Sequence, residues 1–573
     1  MASLGINCVR FHHMDSRGYP GGIWQGAGGG DFAHTDLHPE ALERLDYLVA
    51  QLKKNGVYAD LNLHVSRTFG PADGFPKAEV GQRVPDFGKG VDLFYPKCIE
   101  EQKRYARMLL GHRNRYTGNT YADEPAVAMV EISNEDGLLG QWFSGGLDNL
   151  PQEYNRELAR QWNAWLRARH GSTGQRQGEA PLPDRQDIKQ LPRQTQEDWA
   201  HFLRDTETRF WREMRDYLKN ELGVRMPITG SATGFTTPYI AAETVDFLDA
   251  HGYWQHPHFP GRQWDTSNWI VRNKPMVNER GWTTLDEMAG RRVFGLPFTV
   301  TEYYHPAPND YRAEAFPLIG AYGSFQGWDG IFGFAYSHDN RSEQDHFHSF
   351  FGMAGDPVQL AFMPGCSALF REGRISAAKE VASATLSPDE RLRLLLTDGS
   401  WGVYAAKGGA DLHAWRDARL GLTVEPHGAP PEAPGGGAVR WSVDEDGRGT
   451  VCFSGPGAAG LVGFCSGKRL SLGPVQITPG ETSLDGFCAV LLTTVRPGRY
   501  LITAAARCEN QDMGWNEERT SVGTQWGTGP SLCEGVPLRI ALSGEANNCR
   551  LFSLEPDGTR RARLDETGAS VFQ

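Results

Sequence analysis

The stretch PEALERLDYLVAQLKKNGVYADLNLH, residues 39–64, carries two periodicities back to back. Leu42, Leu45, Leu48, Val49 and Leu52 fall on one face of a helix that Pro39 opens and Gly56 stops. From Val57 the pattern becomes that of a short strand, which ends on His64. A helix leading straight into a strand is one repeat of an alternating architecture, provided the unit recurs.

It recurs on both sides. CVRFHH (8–13) reads as a strand, and a helical stretch around 95–112 leads into AMVEISNEDG (128–137). There Ala128, Met129, Val130 and Ile132 form a strand ahead of Asn134, Glu135 and Asp136. Leu158, Trp162, Trp165 and Leu166 stripe one further helix, and Phe202, Leu203, Phe210, Met214, Leu218 and Leu222 another. Four more strands follow: MPITG (226–230), DFLDAHGY (246–253), PFTVTEYY (297–304) and GIFGFAYS (330–337). Strands separated by helices pair in parallel through right-handed crossovers, so the expectation is an α/β chain forming a (β/α)8 TIM barrel. Seven strands can be placed, and the eighth, the barrel's first, would have to precede Met1. From about residue 385 helical periodicity fades, Gly and Pro rise, and short β-runs such as AGLVGFCS and CAVLLTTV recur, as in an antiparallel β-sandwich. The expected division is a barrel over 1–380 and a sandwich over 381–573.

Bulk properties narrow the function. The chain has 573 residues and a formal charge of −12, which argues against a nucleic-acid partner. No apolar run is long enough to span a membrane. MASLGINCVRFHHMD has no basic region, signal-length apolar core or cleavage site, so no export signal is expected in the chain as it stands. An upstream segment would change that localisation. None of the nine cysteines forms a CxxC pair, which speaks against zinc. Most are expected as buried thiols, with room for one or two disulfides toward the C-terminus in an exported protein.

In a (β/α) barrel the chemistry sits at the C-terminal strand ends. Those ends carry Arg10 with His12 and His13, then His64, Asn134 with Glu135, His251 with Tyr253, Glu302, and Tyr336 with His338. Glu302 stands three strands beyond Glu135, so across a small closed ring the two carboxylates can face each other. Glycosidic hydrolysis needs such a pair, one carboxyl protonating the leaving oxygen and the other meeting the oxocarbenium-like carbon.

The set VR, DLNLH, ISNE, HGY and TVTE, in that order on successive strands, resembles the clan A glycoside hydrolases, and family 5 cellulase-like members most. The resemblance spans roughly residues 1–375. It implies Glu135 as acid/base and Glu302 as nucleophile, with Asn134 on the sugar 2-hydroxyl. It further implies that Arg10 and Tyr253 hydrogen-bond Glu302, and that His64 and His251 line the sugar-binding floor. Family 5 usually places a Trp on its last strand beneath the sugar, where this chain offers Tyr336. To act first as an acid, Glu135 is expected to have a raised pKa, pushed up by burial and by Glu302.

Other features bear on the site less directly. SHDNRSEQDHFHSF (337–350) gathers His338, Asp339, Asp345, His346 and His348, but no ligand spacing fits, so a loop rimming the barrel mouth is expected and no metal or cofactor. Trp142 and Trp254, each soon after a site strand, are the candidates for stacking on sugar faces. The Asn-, Trp- and Gly-rich run 506–536 reads equally as a sugar-binding edge or as a sandwich end packed on the barrel. The expected activity is retaining hydrolysis of β-linked hexose glycosides or polysaccharides. The alternatives are an exo-acting β-galactosidase-like enzyme and a non-catalytic carbohydrate-binding protein on a decayed barrel. The sequence does not fix the oligomeric state.

Overall fold

The computed structural model describes residues 1–26, 32–171, 179–338, 344–387, 391, 417–427, 432, 433, 435, 437–542, 550–555, 558–564 and 571–572. Strand β1 is Cys8–Phe11, followed by helix α1 (Pro39–Lys54), β2 (Tyr58–His64), α2 (Pro96–Leu110) and β3 (Val127–Ser133). Helices α3 (Leu138–Ser144), α4 (Gln152–His170) and α5 (Arg193–Asp216) precede β4 (Ile228–Thr229). The alternation continues with α6 (Pro238–Thr244), β5 (Leu248–Tyr253), α7 (Thr284–Gly290), β6 (Phe298–Tyr304), α8 (Ala315–Gln326), β7 (Gly330–Gly333) and α9 (Pro357–Arg371).

All seven strands run parallel in chain order, as a four-stranded sheet β1-β2-β3-β4 and a three-stranded sheet β5-β6-β7. Past the end of β4, Thr233 makes a parallel bridge to Ala250 of β5, with the Thr233 amide donating to the Asp249 carbonyl at 2.7 Å. Among the described residues no ladder joins β7 to β1.

Each strand alternates by the pleat, and here both faces are covered. On β2, Ala59, Leu61 and Leu63 are buried among core side chains, while Asp60, Asn62 and His64 carry polar groups to the opposite face. That second face is buried too, with Asp60 and Asn62 fully inaccessible. Parallel sheets are normally covered on both sides by apolar groups. A layer of carboxylates, amides and hydroxyls at that depth has to be internally paired, and the pairing builds the site described below.

Past α9 the strands β8 (Val381–Ala384) and β9 (Arg419–Leu422) pair in parallel, and thereafter the ladders are antiparallel. These are β10 (Ala438–Val443), β11 (Gly449–Ser454), β12 (Ala458–Phe464), β13 (Leu470–Leu472), β14 (Val475–Pro479), β15 (Phe487–Arg496), β16 (Arg499–Ala505), β17 (Cys508–Gln511), β18 (Thr528–Cys533) and β19 (Leu538–Leu542). Five of them form one sheet in the order β10-β11-β12-β15-β16. Buried side chains of this region share a core with the parallel part: Val451, Phe453 and Leu491 lie in one apolar cluster with Leu61 and Val300. A smaller cluster around Cys465, Ile477 and Val490 lies within the antiparallel part alone.

Candidate active site

The Arg10 guanidinium organises the site. Its Nε and Nη2 donate to the two oxygens of Glu131, each at 2.8 Å, and Nη2 also donates to Asn134 Oδ1 at 2.9 Å. The remaining arm, Nη1, donates to Glu302 Oε1 at 2.6 Å. Burial opposes the Arg10 charge, but Glu131 and Glu302 more than offset it and hold the group protonated. One planar fork thus fixes residues from β3 and β6 at once, which a lysine could not do. Glu131 accepts a further bond from Asn62 Nδ2 at 2.6 Å. Asp60 lies below, and burial together with Glu131 drives its carboxyl well above the usual range.

Glu302 is closed on its other side by Tyr253, whose hydroxyl donates to Oε2 at 2.5 Å. His12 Nε2 stands 3.7 Å from Oε1. Burial, and then the charges of Arg10 and neighbouring histidines, keep the His12 ring neutral at ordinary pH.

Glu135 faces Glu302 from β3, and an oxygen of each lies within 4.8 Å of the other. Its backbone has φ of 50°, in the left-handed region that a residue with a Cβ seldom occupies. The neighbouring backbone is tied on both sides: the Asn134 amide donates to the His64 carbonyl at 2.8 Å, and the Asp136 amide to Ser231 Oγ at 2.7 Å. Gly137 is required by close approach, since a Cβ there would meet the Phe235 carbonyl oxygen at 2.2 Å. Fully buried, Asp136 accepts from the Gly90 amide at 3.0 Å and so ties the loop bearing Lys89 to the strand end.

His251 sits between the two acids. Nδ1 is 2.9 Å from Glu135 Oε1 and 3.6 Å from Glu302 Oε1, while Nε2 contacts Thr301 Oγ1 at 3.0 Å and Asp249 Oδ2 at 3.2 Å. Burial alone would discharge the ring, but Glu302, Asp249 and Glu135 together raise its pKa to about 10. The consequence for Glu135 reverses the sequence expectation. Burial does push its carboxyl up, but the hydrogen bond from His251 and the ring's charge, then Lys89 and Arg10, bring it down to about 2. The proton of the pair rests on the histidine.

Several expected residues lie elsewhere. His251 stays in the site, as a hydrogen-bond partner of Glu135. His64 is held by Asp15 through Nδ1 at 3.2 Å and by Asp92 through Nε2 at 3.1 Å, with its ring 5% exposed, so both nitrogens are committed below the surface. These carboxylates outweigh burial and raise its pKa to about 10. Trp142 is in the helical core, 6.1 Å from Trp199 between ring centroids, because α3 turns that face toward α5. Trp254 is buried, with its indole N–H donating to the Lys274 carbonyl at 2.9 Å and the Lys274 ammonium over its ring. Tyr336 is half-buried against the core, and Phe334, two residues earlier, is edge-on to His12 at 5.5 Å and to Tyr253 at 5.9 Å. Arg10, Asn134, Glu135, Tyr253 and Glu302 come together as expected.

Glu131, Asp60, Asp249 and Thr301 were not among the strand-end candidates. They lie inside strands, and the period-two recurrence of polar residues in D-x-N-x-H and D-x-H-x-Y would have marked Asp60 and Asp249. A second aromatic tract leads outward from Tyr253 through His256 (5.3 Å) to Trp264 (5.7 Å), whose side chain is 54% exposed.

Glu135, His251 and Glu302 are also the one group of three metal-type donors among the described residues. Both Glu302 oxygens already accept from Arg10 and Tyr253, so the trio fits a hydrogen-bonded network better than a metal centre. In the 337–350 loop, His346 Nδ1 pairs with Asp345 at 2.7 Å; Asp339 lies outside the described residues.

No family model and no curated protein sequence matches the chain. Among solved structures, it is similar to an endo-1,4-β-D-mannanase from Thermotoga petrophila RKU-1 at 18% identity, over 64% of this chain and 92% of that one, with a TM-score of 0.36. It is similar to a glycoside hydrolase family 5 mannosidase from Rhizomucor miehei at 12% identity, over 65% and 86%, with a TM-score of 0.37. A third is GH5_18 from Streptomyces cattleya in complex with Manb1-4GlcNAc, at 15% identity over 74% and 91%, with a TM-score of 0.39.

Proposed function

We propose that the protein is a retaining glycoside hydrolase of the family 5 type, acting on β-linked hexose glycosides. The observation that carries this reading is the approach of Glu135 and Glu302 to within 4.8 Å from facing strands. Retaining enzymes hold their carboxyls about 5–5.5 Å apart, whereas inverting ones leave room for a water between them. The seven parallel strands are read as the wall of a (β/α) barrel over residues 1–380, and the antiparallel ladders as a sandwich over 381–573.

The geometry supports distinct duties. Glu302, gripped by Arg10 and Tyr253, attacks the anomeric carbon as a carboxylate in a fixed orientation. As the bond to the leaving oxygen breaks, the proton held on His251 crosses a single hydrogen bond to Glu135, which delivers it. Forming the glycosyl ester consumes the charge of Glu302. Glu135 then takes a proton from the incoming water, returns it to His251, and the second displacement frees Glu302. Asn134, positioned by Arg10, is read as the partner of a sugar hydroxyl.

The test is hydrolysis of a panel of aryl β-glucosides, β-mannosides and β-galactosides and of polysaccharides by wild type, Glu135→Gln and Glu302→Gln. Turnover by wild type that each substitution reduces more than about a thousandfold is the expected result. Equal activity in all three would refute the assignment, and an inverted first-formed anomer by proton NMR would refute retention.

A further inference from the structure

Eight cysteines fall among the described residues, all as free thiols, and four of them are neighbours in two pairs. Cys508 on β17 and Cys533 on β18 are directly opposed in the antiparallel register. The flanking pair settles which kind of opposition this is. The Glu534 amide donates to the Arg507 carbonyl at 2.9 Å, so Arg507 and Glu534 form a hydrogen-bonded pair. Pair types alternate along an antiparallel ladder, so Cys508 and Cys533 occupy a non-hydrogen-bonded pair, where side chains approach most closely. The separation of such a pair matches what a disulfide requires. Cys533 is exposed, whereas Cys508 is buried beneath it.

The second pair makes a useful contrast. Cys465 and Cys488 share one apolar cluster, but Gly463, not Cys465, is the register partner of Cys488. They are diagonal neighbours in an apolar cluster, and neither is accessible.

We propose that Cys508 and Cys533 form an intramolecular disulfide that straps the β17–β18 ribbon, while Cys465 and Cys488 remain thiols. The oxidant is a small disulfide such as oxidised glutathione. The Cys533 thiolate attacks one sulfur of that disulfide and expels a thiolate, which takes up the proton Cys533 released. Cys508, deprotonated in turn, attacks the Cys533 sulfur of the mixed disulfide and expels the second thiol. Two protein thiols are oxidised and one external disulfide is reduced to two thiols.

The strap sits where it would matter. Between β17 and β18 the chain makes an excursion that holds the segment following β5. Thr520 accepts from the Val271 amide at 2.8 Å, Gly523 accepts from Trp269 Nε1 at 3.1 Å, and Trp526 stacks on Trp269 with ring centroids 5.5 Å apart. That segment also bears His256 and Trp264 beside the candidate site. A bond across Cys508 and Cys533 closes the base of the excursion.

The experiment treats the full-length protein with either dithiothreitol or oxidised glutathione, alkylates it under denaturing conditions, digests it without reduction and maps it by mass spectrometry. The expected product after oxidation is the Cys508 peptide joined to the Cys533 peptide, two hydrogens lighter than the reduced pair, with Cys465 and Cys488 alkylated in both states. The oxidised wild type should melt a few degrees higher than the reduced form, and Cys508→Ser should lose that shift while accumulating glutathione on Cys533. Recovery of Cys508 and Cys533 as alkylated thiols after oxidation would overturn the proposal. So would a cross-link from either one to another cysteine.

Discussion

Replacing His251 by Phe keeps a ring of similar width and removes both nitrogens, so it isolates the proton store from the packing. Holding an imidazolium at about 10 instead of the ordinary 6.5 corresponds to on the order of 5 kcal/mol of net attraction from Glu302, Asp249 and Glu135. In the intact protein the His251–Glu135 pair therefore keeps its proton until the pH nears 10. Without the ring, Glu135 loses its strongest stabilising partner. Burial then raises its carboxyl from about 2 to its ordinary value or above, against the residual pull of Lys89 and Arg10. The proton for the leaving group must then reside on Glu135 itself. The alkaline limb of kcat/KM should retreat by about 3–5 pH units, costing more than about a hundredfold at pH 9 but less than about tenfold at pH 5. The assay is kcat/KM across this range on an aryl β-glycoside with a poor leaving group, for which proton donation is needed. Stability shifts in the same sense. A raised histidine pKa stabilises the fold fully below about 6.5, and that contribution is lost as pH rises through about 10, so the wild type should lose an alkaline-sensitive increment that the variant never had. An alkaline limb that does not move, or a loss equal at every pH, would refute the role given to His251.

Arg10→Ala should cost about 3–5 kcal/mol in urea unfolding, because it leaves Glu131 and Glu302 buried without their cation, and Arg10→Lys should recover only part of the loss. Trp264→Ala should change stability by less than about 1 kcal/mol, since the side chain is mostly exposed, yet raise KM for oligosaccharides while leaving small aryl glycosides unaffected. Trp142→Ala should do the reverse, losing about 3–5 kcal/mol from the core with kcat/KM per folded molecule unchanged.

The sequence by itself determined the order of the elements and singled out Glu135 and Glu302 as the candidate acids. Helical stripes and strand runs are local patterns, set by periodicities of 3.6 and 2, so α1 and β2 were legible to within a few residues. Glu135 and Glu302 were legible because a strand-end position is itself a prediction of location. What tertiary structure alone decided is the company each group keeps. Arg10 meets Glu131, Asn134 and Glu302 from 121, 124 and 292 positions away, and no spacing encodes that convergence. Trp142 follows a site strand just as a sugar platform would, but the turn of α3 sends it into the core. The protonation of Glu135 is the sharpest case. Burial and a facing carboxylate argue for a raised pKa, and both are present. A histidine on a different strand reverses the sign, because electrostatics depend on distance in space and decay over a few ångströms, while the chain separates Glu135 from His251 by 116 positions.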